Sequence, residues 1–562
     1  MRKRAEMISL TILPPGKRIA VKPGTVLLDA IRQAGIEIAT PCNGQGLCGK
    51  CKVRIDDAPP LTPPHPHLSA AETADGIRLA CQVAVRRDMQ VTLPADYALD
   101  TRVLAGDRIK QCRSAPAARI EKIRGRWCLR YPQRSPVPLE TWKPAYRARG
   151  IAVDLGTTTV VLTLMDLGTG TELATATAVN PQTRFGHDVI SRIYKASTPQ
   201  GLAELAALIS EAINALVGEV CRDSGTQPDE ILDVVIGGNT AMLQIAAAID
   251  PAPLGRVPFT VGIQSGRTVP VRRFNFRVNP RARVYIPPVA HAFVGADISA
   301  GLLAVDFFEQ TSSVLFIDMG TNGELALIAD GRAMVTSTAA GPAFEGMGIT
   351  CGMQAATGAI EKIWSNGDFL NLRTVGNAPA KGICGSGIMD VMACLLRAGA
   401  VDPDGRLKNP HQETVPANPL SARYTTVDGV AAIQLTDTVF FTQKDIRQFQ
   451  LAKSAITTGV ALLLAAADTT SERLAQIVIA GAFGHHLSQE SARRIGIIPL
   501  GFRGEIVFAG NTCRTGCALL LVDRDTRDYL HAKMKTVAHL SIAEAPDFQS
   551  RFIENLAFKS SG

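Results

Sequence analysis

The chain of 562 residues contains no uninterrupted apolar run approaching the roughly 18 residues that a membrane-crossing helix needs. Its basic start, MRKRAEMISLTIL, lacks the apolar stretch and small-residue cleavage site of a secretion signal. The expectation is a cytoplasmic protein without a membrane partner. Cysteine is scarce, 12 residues over this length, which excludes a disulfide scaffold. In a reducing compartment, thiols that cluster nonetheless suggest a metal site. Excess charge of one sign is confined to a single stretch. Between Thr101 and Arg149, 13 Lys/Arg face 3 Asp/Glu, so this segment holds a surplus of ten positive charges in a chain whose net charge is +8. It has few aromatics, several prolines and no recognisable nucleic-acid module, so no nucleic-acid partner is expected. A solvated linker is expected, with docking onto an acidic protein as the alternative.

Four cysteines do cluster. The loop PCNGQGLCGKC, residues 41–51, holds Cys42, Cys48 and Cys51 in a C-x5-C-x2-C spacing, and Cys81 follows thirty residues on. Four thiolates hold either zinc or an iron–sulfur cluster. Zinc sites built on four cysteines usually carry two short C-x-x-C pairs, and here there is one. The plant-type [2Fe–2S] spacing, C-x4-C-x2-C…C, is one residue tighter in its first gap. Gly44, Gly46 and Gly49 let the backbone wrap closely, so that its N–H groups can point at the sulfurs. Before the loop, ISLTILPPGKRIAV reads as two strands around a turn. TVLLDAIRQAG reads as a helix capped by Thr25 and ended by Gly35, and KVRI and MQVTL read as strands. This stretch resembles the ferredoxin family, most closely its adrenodoxin-type branch, which implies a [2Fe–2S] cluster on Cys42, Cys48, Cys51 and Cys81. Cys513 and Cys517, four apart on an expected helix, are read as buried packing, and His485 and His486 as structural or surface residues.

From Gly150 the chain repeats itself. GIAVDLGTTTVVLTLMDLGTG opens one half and VLFIDMGTNGELALIADG the other, each an apolar strand ending in Asp, a Gly-Thr turn, and a second strand. Each half later supplies a long apolar helix and a strand running into glycines, ILDVVIGGNTAM in the first and LAQIVIAGAFGHHL in the second. Two elements recurring in the same order argue for duplication. Asp-Gly-Thr turns offer backbone N–H groups and hydroxyls to phosphate oxygens, and the Asp can hold Mg²⁺ through water or orient an attacking water. The pattern resembles the ATPase superfamily of actin, sugar kinases and heat-shock chaperones. That resemblance implies Asp154, Gly156, Thr157 and Thr158 as the first phosphate motif. Asp318, Gly320, Thr321 and Asn322 form the second, and Gly481, Ala482 and Gly484 the adenosine motif. Lys453, in DIRQFQLAKSAI, is implied near the adenosine. Asp188, Asp297 and Glu324 are candidates for a further catalytic carboxylate, with helix capping as the plainer reading.

Nearly the whole chain, residues 95–149 excepted, resembles the reductive activators of corrinoid-dependent methyltransferases and corrinoid proteins. The stretches that carry this are the ferredoxin loop, VDLGTTT, NPQTRFGHDVISRI, GGNTAM, FIDMGTNGEL, AAGPAFEGMGI, CGSGIMDV, TQKDIRQFQLAKSAI and AGAFG. The resemblance implies one-electron transfer from a [2Fe–2S] cluster to Co(II), giving Co(I), assisted by hydrolysis of ATP with Mg²⁺. Asp154, Asp318 and Glu324 are then the catalytic carboxylates. A corrinoid partner and a low-potential electron donor are implied, and a homodimer stays open. Competing readings are a redox-sensing nucleotide-binding regulator and an ATP-coupled donor to a radical dehydratase.

The fold expected is an α+β ferredoxin (β-grasp) domain over residues 1–95, then a duplicated ribonuclease-H-like, actin-like ATPase fold. Its first subdomain spans 150–310 and its second 311–562. The family often carries a distinct middle domain. Residues 96–149 are expected to be its reduced remnant or a basic tether that lets the ferredoxin swing.

Overall fold

The computed structural model describes residues 7–94 and 114–558, apart from 15, 35, 37, 39–43, 45, 47–48, 50, 59–64, 66, 187, 367–368, 413–419 and 482–486. It divides into two units, Met1–Asp100 and Thr101–Gly562.

The first unit is a five-stranded sheet in the order Lys17–Val21, Ile8–Leu13, Met89–Thr92, Lys52–Ile55, Ile77–Leu79. The first strand pairs antiparallel with its hairpin partner and parallel with Met89–Thr92. Alternation puts Ile8, Leu10 and Ile12 on the inner face, where helix Leu27–Gln33 covers them with Leu27, Leu28 and Ile31. This is the β-grasp expected of a ferredoxin. Thr25 is not the cap of that helix: its hydroxyl donates to the Lys22 carbonyl at 2.7 Å, and the helix begins after Val26. Gly35 lies outside the described residues.

The second unit is built on two six-stranded sheets with the same plan. In the first, Arg149–Leu155 pairs antiparallel with Thr159–Asp166, which pairs antiparallel with Glu172–Val179; on its other side Arg149–Leu155 runs parallel to Ile231–Gly238, and that strand parallel to Arg283–Ile286. In the second, Val314–Met319 is antiparallel to Gly323–Ala329, itself antiparallel to Arg332–Thr338. It is parallel to Gln476–Ala480, and that strand to Glu505–Gly510. Register completes the repeat: Asp154 stands opposite Gly237, and Asp318 opposite Ala480, one residue before Gly481. The central strands are buried throughout (Ile151–Val153, Leu315–Ile317) because both faces of each sheet are covered.

Two helices, Pro199–Ser224 and Gln443–Ala466, are long and apolar enough to cross a membrane by length and composition alone. Here their apolar faces complete protein cores. Leu205, Ile209, Ile213 and Val217 pack with the first sheet; Phe449, Ile456, Val460 and Leu463 pack with the second. A third core is shared by both halves. In it, helix Thr512–Val522 crosses helix Ala296–Ala304 so closely that a Cβ on Gly516 would lie 1.8 Å from the Ala300 carbonyl oxygen.

The basic segment is not a tether over its described residues. Arg119–Ile123, Arg126–Arg130 and Val137–Pro138 form a three-stranded sheet, whose Leu129, Tyr131, Leu139 and Trp142 are buried in the shared core. The Tyr131 hydroxyl donates to the Leu232 carbonyl and accepts from the Arg283 N–H at 3.2 Å. Ala115 exchanges backbone hydrogen bonds with Val522 and Arg524, at 2.8 and 3.0 Å. The charge is real but faces outward, on Arg119, Lys122, Arg124, Arg126 and Arg130. Trp142→Ala should therefore lower the unfolding free energy of the second unit by about 3–5 kcal/mol in denaturant titration. A change below about 0.5 kcal/mol, the usual effect at an unpacked surface position, would return the segment to a linker.

Candidate active site

The two Asp-Gly-Thr turns face each other across a cavity of about 180 Å³. Asp154, Gly156, Thr157, Thr158, Asp318, Gly320, Thr321, Asn322, Glu324 and Gly481 all line it, so most of the residues expected of a nucleotide site are brought together. Ala482, Gly484, His485 and His486 lie outside the described residues.

The first turn is braced from behind by two motifs. Asn180 donates from its side chain to the Gly156 carbonyl and from its backbone to the Thr158 carbonyl, both at 2.8 Å. Arg192, fully buried, donates to the Thr157 carbonyl at 2.5 Å and to Gly186 at 3.0 Å. Asn239 donates to the Thr157 hydroxyl at 2.9 Å. With its carbonyls tied back, the turn presents the Thr158 hydroxyl to the cavity. Gly481 is required on the opposite wall: its φ is +112°, and a Cβ there would lie 2.4 Å from the Met319 carbonyl oxygen.

Carboxylates crowd the floor. Asp154, Asp297, Asp318, Glu324 and Glu345 all line the cavity; Glu324 is buried and the other four are half-buried, open only to the cavity. Burial and then the neighbouring acids Asp297, Asp154 and Glu345 push Asp318 up to about 8. Glu324 is raised well above the usual carboxylate range by burial and by Asp297 and Asp318. Asp154 rises less, because Asn511 donates to it at 2.7 Å. Glu345, raised by burial, accepts from the Thr158 hydroxyl at 2.8 Å and from the Thr321 hydroxyl at 3.1 Å.

Such a floor fits a hydrated divalent cation with a phosphate ligand. Among the described residues no three acid, His or Cys side chains converge as a direct metal cage. Mg²⁺, which keeps several waters and takes one or two carboxylates, needs no such cage. Gln354 Oε1 and Thr512 Oγ1, both at the cavity wall, are buried without a hydrogen-bond partner among the described residues, as expected of groups awaiting a polar ligand.

One expectation is revised and one is narrowed to its plainer alternative. Lys453 does not line this cavity: its ammonium donates to the Ala557 carbonyl at 2.7 Å and sits over the Phe558 ring, because the C-terminal segment covers that face of the helix. Asp188 does not line the cavity and caps helix Val189–Lys195 through the Ser191 N–H at 2.8 Å, the plainer of its two sequence readings. Glu345 and Asn511, not singled out in the sequence, belong to the site; the glycines flanking PAFE and the Asn before helix Thr512–Val522 were the available signals. Cys513 and Cys517 are buried and close on Gly237, where a Cβ would lie 2.6 and 2.8 Å from their sulfurs; Cys513 also lines the cavity and hydrogen-bonds Asp154.

In the first unit, Cys51 and Cys81 are buried with their sulfurs 3.3 Å apart. That is near the ~3.8 Å edge of a tetrahedron with ~2.3 Å metal–sulfur bonds. Gly44 and Gly49 have φ of +82° and +64°; a Cβ on Gly49 would lie 2.7 Å from His67 Cβ. Cys42 and Cys48 lie outside the described residues. The thiol pair and the tight glycine loop fit a cluster.

The crowded acids give a testable pH dependence. Asp318 ionises near 4 in an unfolded chain and about 8 when folded. Between those values the folded state binds more protons, so stability falls as pH rises, with no penalty below pH ~4 and the full penalty above pH ~8. Asp318→Asn should narrow the gap between unfolding free energies at pH 5 and pH 8 by at least about 1 kcal/mol; an unchanged gap would contradict the crowding.

Comparison with known proteins agrees with both units. Residues 10–86 match the 2Fe-2S iron-sulfur cluster binding domain, 149–310 the RACo middle region, and 312–562 the C-terminal domain of RACo, the ASKHA domain. The family's middle region thus lies in the first sheet half rather than in the basic segment. The chain is 33% identical over 427 residues to the corrinoid activation enzyme RamQ of Eubacterium limosum, covering 75% of this chain and 71% of that one. It is 25% identical over 450 residues to a [Co(II) methylated amine-specific corrinoid protein] reductase of Methanosarcina barkeri, covering 74% and 77%. A solved reductive activator for corrinoid, iron-sulfur protein superposes with a TM-score of 0.73 at 28% identity, over 99% of both chains. On its sequence, its paired sheets and its ferredoxin unit, the chain belongs to the RACo family of corrinoid-protein activators.

Proposed function

We propose that this protein reactivates a corrinoid protein by delivering one electron to Co(II), giving Co(I), in a reaction assisted by hydrolysis of ATP. The observation that carries this is one chain holding both a buried thiol pair in a ferredoxin sheet and a duplicated acid-lined cleft of the nucleotide type. The two relatives named above are a corrinoid activation enzyme and a corrinoid protein reductase.

A [2Fe–2S] cluster supplies a single electron at low potential, roughly −400 mV for plant-type clusters. Cys51 and Cys81, with Cys42 and Cys48, would hold it, and the surrounding apolar core of Leu28, Leu79 and Ala80 keeps water from the thiolates. An external low-potential donor refills the site. For a corrinoid acceptor of lower potential, each 59 mV uphill costs a factor of about ten in the equilibrium.

Nucleotide shifts that equilibrium only if its states differ in affinity for the partner's states. The cleft residues divide the task. The N–H groups and hydroxyls of the turns at Gly156–Thr158 and Gly320–Asn322 receive phosphate oxygens. Asp154 and Asp318 would hold Mg²⁺, which would neutralise phosphate charge there, and Asn511 fixes the orientation of Asp154. Glu324 and Asp297, kept protonated more readily than surface acids, stand behind them to take or give a proton during attack by water.

The test is to mix anaerobically purified protein, reductant, ATP and Mg²⁺ with a Co(II) corrinoid methyltransferase. The Co(I) absorbance should appear only in the complete mixture, and fall at least about a hundredfold in rate with Cys51→Ala or Asp318→Ala. Co(I) formation at an equal rate without ATP, or purified protein lacking iron and sulfide, would refute the reading.

A further inference from the structure

Glu345 is the one acid of the cleft bound to both halves at once. It sits at the end of the turn Pro342–Glu345 in AAGPAFEG, followed by Gly346 at φ +79°, where a Cβ would lie 2.5 Å from the Met353 carbonyl oxygen. That turn is therefore held tightly and aims the side chain into the cavity. Its Oε2 accepts from the Thr158 hydroxyl of the first half at 2.8 Å, and both its oxygens lie 3.1 Å from the Thr321 hydroxyl of the second. The two hydroxyl oxygens are 3.5 Å apart.

We infer that Glu345 is an internal latch, a carboxylate standing where nucleotide phosphate must go. Each threonine hydroxyl has one proton to donate. While Glu345 accepts both, neither is available to a phosphate oxygen: its Oε2 lies within 2.8 Å of one hydroxyl and 3.1 Å of the other, the place an oxygen shared by the two turns would take. Hydroxyl-to-carboxylate bonds are charge-assisted and stronger than neutral ones. Burial raises the Glu345 carboxyl, and the two threonine hydroxyls, then Arg192 behind the first turn, oppose that rise, so the hydroxyl contacts are what hold the carboxylate in place. ATP enters only the fraction of molecules in which the latch is open, so apparent affinity is lowered by that fraction. Phosphate then takes the two hydroxyls, and Glu345 is released. The latch thereby sets two partners, Glu345 and phosphate, in competition for the same hydroxyls. It also sets the threshold at which nucleotide changes the relation of the halves. This inference rests on the nucleotide reading of the cleft and specifies the residue against which nucleotide competes.

The test uses the full-length protein, MgATP as titrant, and two substitutions. Glu345→Gln keeps the shape of the side chain and removes its charge. Glu345→Asp keeps the charge in the cleft but is one methylene too short to reach both hydroxyls. Glu345→Gln should bind MgATP about tenfold more tightly than the wild type, and Glu345→Asp more tightly by a smaller factor. Without nucleotide, amide hydrogen exchange at residues 156–159 and 320–323 should be faster in both variants; with saturating MgATP it should match the wild type. A merely structural role would raise exchange in both states. Equal or weaker binding by Glu345→Gln overturns the latch. Tightening by Glu345→Gln with none by Glu345→Asp overturns it too, because charge repulsion alone then accounts for the effect. If the wild type binds MgATP and exchange at the turns does not respond to either substitution, the latch fails while the nucleotide reading stands. If neither wild type nor variant binds MgATP, the nucleotide reading fails and the latch with it.

Discussion

Five carboxylates packed around one cavity, one of them buried and four half-buried, are the constraint on which the site of the larger unit rests. An ionised acid removed from water is costly, and a second acid beside it raises the cost again. Arg192 and Arg514 are the nearby cations that act on these acids, and both are committed elsewhere: Arg192 to backbone carbonyls of the first turn, Arg514 to Glu172 at 2.7 Å. The crowding is relieved by holding protons, with Asp318 pushed up to about 8. A divalent cation bound there, as proposed, would replace those protons, which would link its binding to proton release. A surface site of the same composition would need neither. The burial that makes the acids expensive is what gives a cation and a phosphate their leverage there.

That arrangement needs two sheets held at a fixed relation on one side and free to respond on the other. The fixed side is the shared core. Helix Thr512–Val522 follows the last parallel strand of the second sheet yet packs on the first, against Ala296–Ala304, through Gly516 and Gly301. Two buried ion pairs define that crossing. Arg514 reaches Glu172, and Arg527 reaches Asp233 at 2.7 Å, while the Arg527 guanidinium lies over the Tyr285 ring. Such pairs add little net stability but make a wrong docking expensive, since either charge left alone in the core is uncompensated. The sheet of residues 119–138 seals the same region through Tyr131 and Trp142. Across the cleft, by contrast, the halves meet through hydroxyls and a carboxylate, contacts a ligand can exchange.

Much of this was legible from residue order, and what was not has a physical reason in each case. The Asp-Gly-Thr turns were readable because a tight strand–turn–strand needs its special residues adjacent in sequence. The duplication was readable because strands buried on both faces must be apolar runs. Glu345 and Asn511 were not readable as site residues, since they stand 24 or more positions from Thr321 and only the sheet topology returns them to the turns. The basic segment misled because charge density says nothing about direction. Its arginines point outward while Leu129, Tyr131 and Trp142 point in, a pattern masked by intervening prolines. Lys453 misled differently: its helix is where the resemblance put it, but residues 548–558 lie over that face and take the ammonium.

The coupling of nucleotide to electron delivery then reduces to a requirement on differential affinity. ATP cannot lift an electron; it can only favour one arrangement of the halves over another, by as much as it binds them differently. Thr158 and Thr321 are the atoms through which that difference must pass, because each belongs to one half and both have a single proton to give. Thr158 belongs to the first half and Thr321 and Glu345 to the second, so this carboxylate ties the two halves across the cleft, while the helix crossing beneath belongs to their shared core. On the proposed reading, nucleotide acts by competing for those two hydroxyls, and it bears on corrinoid reduction only as far as the corrinoid partner binds the resulting arrangements differently.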